Sequence, residues 1–186
     1  MEHLKEVLKP ITWKDLPKMT DWGNWYSDMD IDYFINHWLP GEIAEGLILE
    51  PDFQRGHVWT TEQRIAFMEF IIKGGQCQDI LFNAPNWTSV SADGTYVLVD
   101  GLQRITTLQM FFNNEFPVFG GYYKKDIQGK MPRFQVKVRV NNLKTRREVL
   151  QWYLELNSGG TPHSSEEISR VQKLLENTLN WLEIVS

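Results

Sequence analysis

The sequence has one cysteine, Cys77, in 186 residues. A disulfide framework is therefore excluded, and a reducing compartment is the simplest reading. Cys77 and the four histidines form no cluster with zinc-ligand spacing. No stretch approaches the ~20 consecutive apolar residues that span a bilayer. The opening Met1-Glu2-His3-Leu4-Lys5 lacks the apolar run of a signal peptide. Internal repeats and low-complexity linkers are also missing. A cytoplasmic protein with no membrane partner is expected.

What is present describes a folded domain. Eight Trp and ten Phe are too many for a disordered chain, and 42% apolar residues suffice for a sizeable core. The net charge of −5 is unevenly spread. Residues 1–52 hold eleven acids and four bases, whereas 124–147 holds nine Lys/Arg and one acid, Asp126. A phosphate-rich partner suits that basic stretch although the whole molecule is acidic.

Local patterns predict an α+β order. Residues 1–27 read as an irregular arm, pinned to the body by Trp13, Trp22 and Trp25. Asp30–Leu39 reads as a short helix stopped by Pro40-Gly41, with the acids around Asp28, Asp30 and Asp32 at its start. Those acids do not make a calcium loop, because Tyr33 and Leu39 stand where Gly and Glu are needed. Leu47-Ile48-Leu49 is a strand candidate. Thr60 with Gln63 makes a capping box that opens a helix to Lys73, ended by Gly74-Gly75. Ile80-Leu81-Phe82 and Tyr96–Val99 read as buried strands, and Leu102–Asn113 as a helix. In 133–140 the alternation sets Phe134, Val136, Val138 and Val140 against Arg133, Gln135, Lys137 and Arg139, a half-buried strand with a basic outer face. Thr145 with Glu148 and Ser164 with Glu167 cap two more helices, the first broken by Asn157-Ser158-Gly159-Gly160.

The candidate chemistry sits at a strand–turn–helix junction. Asp100-Gly101-Leu102-Gln103-Arg104 directly follows Tyr96–Val99. Gly101 permits a sharp turn and close ligand approach. Helix-start amides bind anions, and the forked guanidinium of Arg104 matches phosphate oxygens. Gln103 can position water, while Thr106 and Thr107 place hydroxyls nearby. Asp100 can hold a magnesium ion through water or act as a base. The plainer alternative makes Asp100 a helix cap and Arg104 a surface ion pair. A second element, Pro51-Asp52-Phe53-Gln54-Arg55-Gly56-His57-Val58-Trp59, also sets an Arg beside an aromatic and a Gln. By itself it too can be ordinary packing.

Together, in order, the chain carries Phe53-Gln54-Arg55, Trp59, Val99-Asp100-Gly101-Leu102-Gln103-Arg104-Ile105-Thr106-Thr107-Leu108, Leu156-Asn157-Ser158-Gly159-Gly160-Thr161-Pro162 and Glu167-Ile168. This strongly resembles the N-terminal domain family of the GmrSD-type modification-dependent restriction endonucleases over roughly residues 45–170. At position 102 the family commonly has Gln where this chain has Leu. The resemblance implies a ParB/sulfiredoxin-like fold: a small mixed sheet with flanking helices and a C-terminal helical part, over 45–186, with 1–44 as an arm packed on it. It implies a nucleotide-binding and hydrolysing domain of a DNA restriction or anti-phage system. The implied site is Gln54, Arg55, Asp100, Gly101, Gln103, Arg104 and Thr106, with Thr107 beside them and Asn157 and Gly160 on a nearby loop. The implied cofactors are Mg2+ and a nucleoside triphosphate, with Asp100 toward the metal and Asp100, Gln103 and Arg104 as the catalytic set.

Relatives carry an HNH-type nuclease domain downstream, and none is expected within this sequence. His37-Trp38-Leu39-Pro40 matches only a fragment of that signature and reads as packing. Sulfiredoxins of the same fold use a cysteine beside their phosphate loop, but Cys77 lies outside the Asp100 loop, so redox chemistry is not expected. The expected DNA contacts are Lys124, Lys125, Arg133, Lys137, Arg139, Lys144, Arg146 and Arg147, or else these form a solvated surface. A non-catalytic module that binds a partner nuclease or DNA is the alternative function, and direct DNA nicking a weaker one.

Overall fold

The computed structural model describes residues 25–54, 56, 59–85, 95–158 and 165–185. Its strands are β1 (Trp25–Asp30), β2 (Ile80–Asn83), β3 (Val97–Asp100) and β4 (Gln135–Asn141). Its helices are α1 (Ile31–Tyr33), α2 (Leu39–Ala44), α3 (Thr61–Ile72), α4 (Leu102–Phe112), α5 (Arg146–Ser158) and α6 (Ser165–Val185). The α+β class expected from the sequence is observed.

The sheet runs β1-β4-β2-β3, antiparallel at both outer pairs and parallel between β4 and β2. Its two faces read directly from strand alternation. Ile80, Phe82, Leu98, Val136, Val138 and Val140 point to one core, shared with α1, α2, α3 and α4. Val97 and Val99 point to a second core under Phe53, α5 and α6, with Leu81 packed against it. The result is three layers, with the sheet buried on both faces at β2 and β3.

The caps behave as local chemistry demands. Thr60 Oγ1 accepts from the Gln63 amide and the Gln63 side chain accepts from the Thr60 amide. Thr145 and Glu148 make the same reciprocal pair. Gly74 follows α3 with φ of 95°, a left-handed turn that glycine adopts freely. The Ser164 cap lies outside the described residues.

Four local expectations are corrected. Trp25–Ser27, expected as irregular arm, belong to β1, because Trp25, Ser27 and Met29 pair with Val140, Val138 and Val136. Trp25 is 48% exposed on this edge strand. Pro40 does not stop the first helix. A wide π-helical turn at Phe34–Trp38 links α1 to α2, and Pro40 falls in the first turn of α2, where its missing N–H is not needed. Leu47-Ile48-Leu49 shrinks to a single parallel bridge from Ile48 to Val97. Asn157 and Ser158, expected to break a helix, are the last residues of α5.

The acids near residue 30 do start a helix: the Asp30 carboxylate accepts from the amides of Asp32 and Tyr33. His37-Trp38-Leu39-Pro40 is packing, with Trp38 stacked on Phe34 and edge-on to Phe82. Phe34 and Leu39 are fully buried in the main core.

Candidate functional site

Strand register builds the site. Leu81, in β2, has Asp100 of β3 on one side and Arg139 of β4 on the other. All three lie on the sheet face toward α5, and Trp152 and Leu156 of α5 wall the space above them. The resulting open cavity is about 540 Å³, with Gln78, Asp79 and Arg104 completing its lining.

Gly101 makes the turn from β3 into α4. Its φ is 116°, and a Cβ there would stand 3.0 Å from Ile80 Cγ2. The N-cap of α4 is Gly101 itself, which has no side chain to cap the helix. One helical turn on, Arg104 folds back over the start of β2. It donates to the Gln78 side chain at 3.0 Å, to the Asp79 carbonyl at 3.0 Å and to Asp100 Oδ2 at 2.6 Å. The Arg104 side chain is 12% exposed and Asp100's is 53%. The buried Arg104 Nε–H meets no acceptor among the described residues. Beside this pair, Arg139 is ion-paired to Asp79. Two guanidiniums and two carboxylates thus face one cavity.

The second motif approaches α4 from outside. Gln103 donates to the Gly56 carbonyl and accepts from the Trp59 amide, both at 3.1 Å. Gln54 donates to the Leu98 carbonyl. The loop is also gripped from the C-terminal helices. Arg146 Nη2 donates to both Asp52 carboxylate oxygens, and Arg170 donates to the carbonyls of Asp52, Phe53 and Gln54. Arg55 and Gly160 lie outside the described residues.

The expected site residues therefore divide. Asp100, Gly101 and Arg104 come together. Gln103 and Gln54 serve as ties between the two motifs. Thr106 is half-buried on α4. Thr107 is fully buried and its hydroxyl donates to the Gln103 carbonyl. Asn157 donates to the Tyr153 carbonyl inside α5, one residue beyond the cavity wall. Leu102, the departure from the common family pattern, is 6% exposed in the main core, so its side chain does not line the cavity.

Sequence reasoning missed Asp79, Gln78 and Trp152 as cavity residues and Arg170 as a clamp. Asp79 had a signal, being an acid immediately before a buried strand. Arg170 had none, because its partners lie 116 to 118 residues away.

The basic stretch does not form one free face. Arg139 and Arg146 are ion-paired, and Lys144 donates to the Pro85 carbonyl. Lys137 faces Asp28 across the β1–β4 pair. Lys124 lies over Phe112 and Lys125 over Tyr123. Arg133 and Arg147 are exposed.

Cys77 is buried, with its thiol toward the Gln78 carbonyl. Burial pushes the thiol up to about 11, against a smaller opposing pull from Arg104. It is therefore protonated at neutral pH. Iodoacetamide should label native Cys77 roughly a hundredfold more slowly than the urea-unfolded chain at pH 7.5. Equal rates would show an accessible thiolate.

Fold and site define a class: a three-layer α+β domain with a charged cleft at a strand–glycine–helix junction. The family model for the GmrSD restriction endonuclease N-terminal domain matches residues 35–144, and the chain belongs to that family. The match spans both motifs and the whole of the sheet except β1. It carries the theme of restriction and phage defence, and with it a DNA-related role. Neither the curated proteins nor the solved structures show a match to this chain. Among the described residues no helix is long and apolar enough to cross a membrane.

Proposed function

We propose that the cleft between the α4 N-terminus and α5 binds a nucleoside triphosphate with Mg2+, and hydrolyses it, within a DNA restriction or anti-phage system. The observation that carries this reading is the set of two guanidiniums and two carboxylates around one open cavity at the glycine turn into α4. Arg104 and Arg139 would hold phosphate oxygens, the α4 N-terminus would meet the same charge, and Asp100 would orient water, while Gln103 ties the second motif to α4. The fold is read as ParB/sulfiredoxin-like.

The donor set suits a metal that arrives with the nucleotide. Among the described residues no three His, Cys, Asp or Glu side chains converge. Mg2+ bound through one or two carboxylates, phosphate oxygens and water needs no more than Asp100 and Asp79 supply. When bound it neutralises phosphate charge.

The charge balance makes a distinctive expectation. The cleft is neutral, because each arginine faces an acid. A free polyphosphate meets two carboxylates there and is repelled. A divalent cation on those carboxylates releases the arginines for phosphate. Nucleotide affinity should therefore rise at least about tenfold from EDTA to millimolar Mg2+, measured by calorimetric titration with each of the four triphosphates. Affinity that does not change with Mg2+ would overturn this arrangement. Phosphate release from the purified protein separates hydrolysis from binding.

A second reading is a non-catalytic module that binds DNA or a separate nuclease subunit. It is favoured by the engagement of Arg104 with Gln78, Asp79 and Asp100, which leaves most of its donors already in use. Nucleotide binding without turnover, with retention of a nuclease or DNA, would select it. Any DNA contact would draw on Arg133, Arg147 and the lysines near 124 and 137, and would weaken steeply with salt.

A further inference from the structure

On the opposite face of the sheet from the charged cleft, α3, α4 and the 124–134 loop enclose a cavity of about 420 Å³. Its wall is apolar: Met68 and Ile71 from α3, Phe111 from α4 and Phe134 before β4. Two lysines, Lys124 and Lys130, stand among its lining residues, and no carboxylate does. Lys124 Nζ is fixed near its edge, 4.7 Å from the centre of the Phe112 ring, which also lines the space. In a chain of net charge −5, the lining thus carries only positive charge.

We propose that this cavity is a binding site for a small amphipathic carboxylate, with an aliphatic or aryl body inside and its anionic head at Lys124 and Lys130. The volume lies in the range of small-molecule sites, and an apolar lining with a few polar groups is their usual form. A nucleobase is a poor occupant. It carries several hydrogen-bonding groups, and beyond the two lysines only Gln128 offers a polar side chain to meet them. A neutral hydrocarbon fills the wall and ignores the lysines. A hydrocarbon body with one anionic end uses both.

The site is separate from the proposed nucleotide cleft, and its test does not depend on nucleotide binding. Calorimetric titration of the full chain with butanoate, hexanoate, octanoate and decanoate should show affinity rising about fourfold per added methylene until the cavity is filled. Decanoate should bind about three- to tenfold more tightly than decanol. The double variant Lys124→Gln with Lys130→Gln, on the rim, should erase that preference and leave decanol binding unchanged. Ile72→Trp, a half-buried α3 residue that lines the cavity, should abolish binding of both while thermal unfolding shows the chain still folded. Absence of saturable binding at every chain length would overturn the proposal. So would equal affinity for decanoate and decanol in the unaltered protein, or decanoate binding that survives Ile72→Trp in the folded chain.

Discussion

Arg104→Ala is expected to lower phosphate release and nucleotide affinity by about a hundredfold or more. Removing one well-placed donor to a developing negative charge typically costs ~100- to 1,000-fold. Arg104 is better placed than a surface arginine. It is mostly buried, held on three acceptors, and its guanidinium faces the cleft beside Asp100. The same contacts mean that the variant loses some stability. The Asp79 carbonyl and the Gln78 side chain both lose a donor, a loss of about 1–3 kcal/mol. Thermal unfolding of the variant must therefore accompany the activity measurement. Arg104→Lys keeps a charge but not the fork, and should recover only part of the affinity. Equal rates in Arg104→Ala and the unaltered protein would remove the cleft as a hydrolytic site.

Asn83→Leu is expected to be the most destabilising single change in the described core, at about 3–5 kcal/mol. Asn83 ends β2 and is fully buried. Its amide donates to the carbonyls of Thr95 at 2.8 Å and Leu143 at 3.0 Å, and its oxygen accepts from the Leu143 amide at 2.9 Å. One side chain thereby joins the loop before β3 to the loop before α5. Leucine has nearly the same size but meets none of these groups, and each polar group stripped of a partner inside a core costs about 1–3 kcal/mol. For a chain of this length the midpoint of thermal unfolding should fall by roughly 10 °C. A fall of less than about 3 °C would mean that water replaces the amide and that the stitch is unimportant.

The sequence revealed most where the cause is local. Capping boxes at Thr60 and Thr145 act within three residues, so their chemistry is complete in the string itself. The alternation of Val136, Val138 and Val140 needs only the two-residue period of a strand. Gly101 between a buried strand and an amphipathic helix marked the turn for the same reason. The errors fall where a distant partner decides. Trp25-Tyr26 are strand formers but too short a run to read as a strand alone, and they enter β1 because β4 offers an edge to pair with. Pro40 looked like a stop, yet the π turn ahead of it rearranges the hydrogen bonds so that its missing donor does no harm.

The basic run at 124–147 shows the same limit in its electrostatics. Nine cations in sequence suggest one positive face, but register and folding set Asp28 across from Lys137, Asp79 on Arg139 and Asp52 on Arg146. A count of charges along the chain does not say which acids will arrive beside them.

By itself, then, the sequence determined the α+β class, the helix starts, the strand–glycine–helix junction at Asp100–Arg104 and, through its ordered motifs, the family. These follow from periods, caps and spacings shorter than about ten residues, or from a pattern of identities. Only the tertiary structure decided that Asp79, Arg139 and Trp152 share the cleft, that Arg170 clamps the loop before Arg55 and that the cleft is neutral. Each of those depends on strands and helices far apart in the chain meeting in one register, which burial of two opposed apolar sheet faces selects and no local pattern encodes.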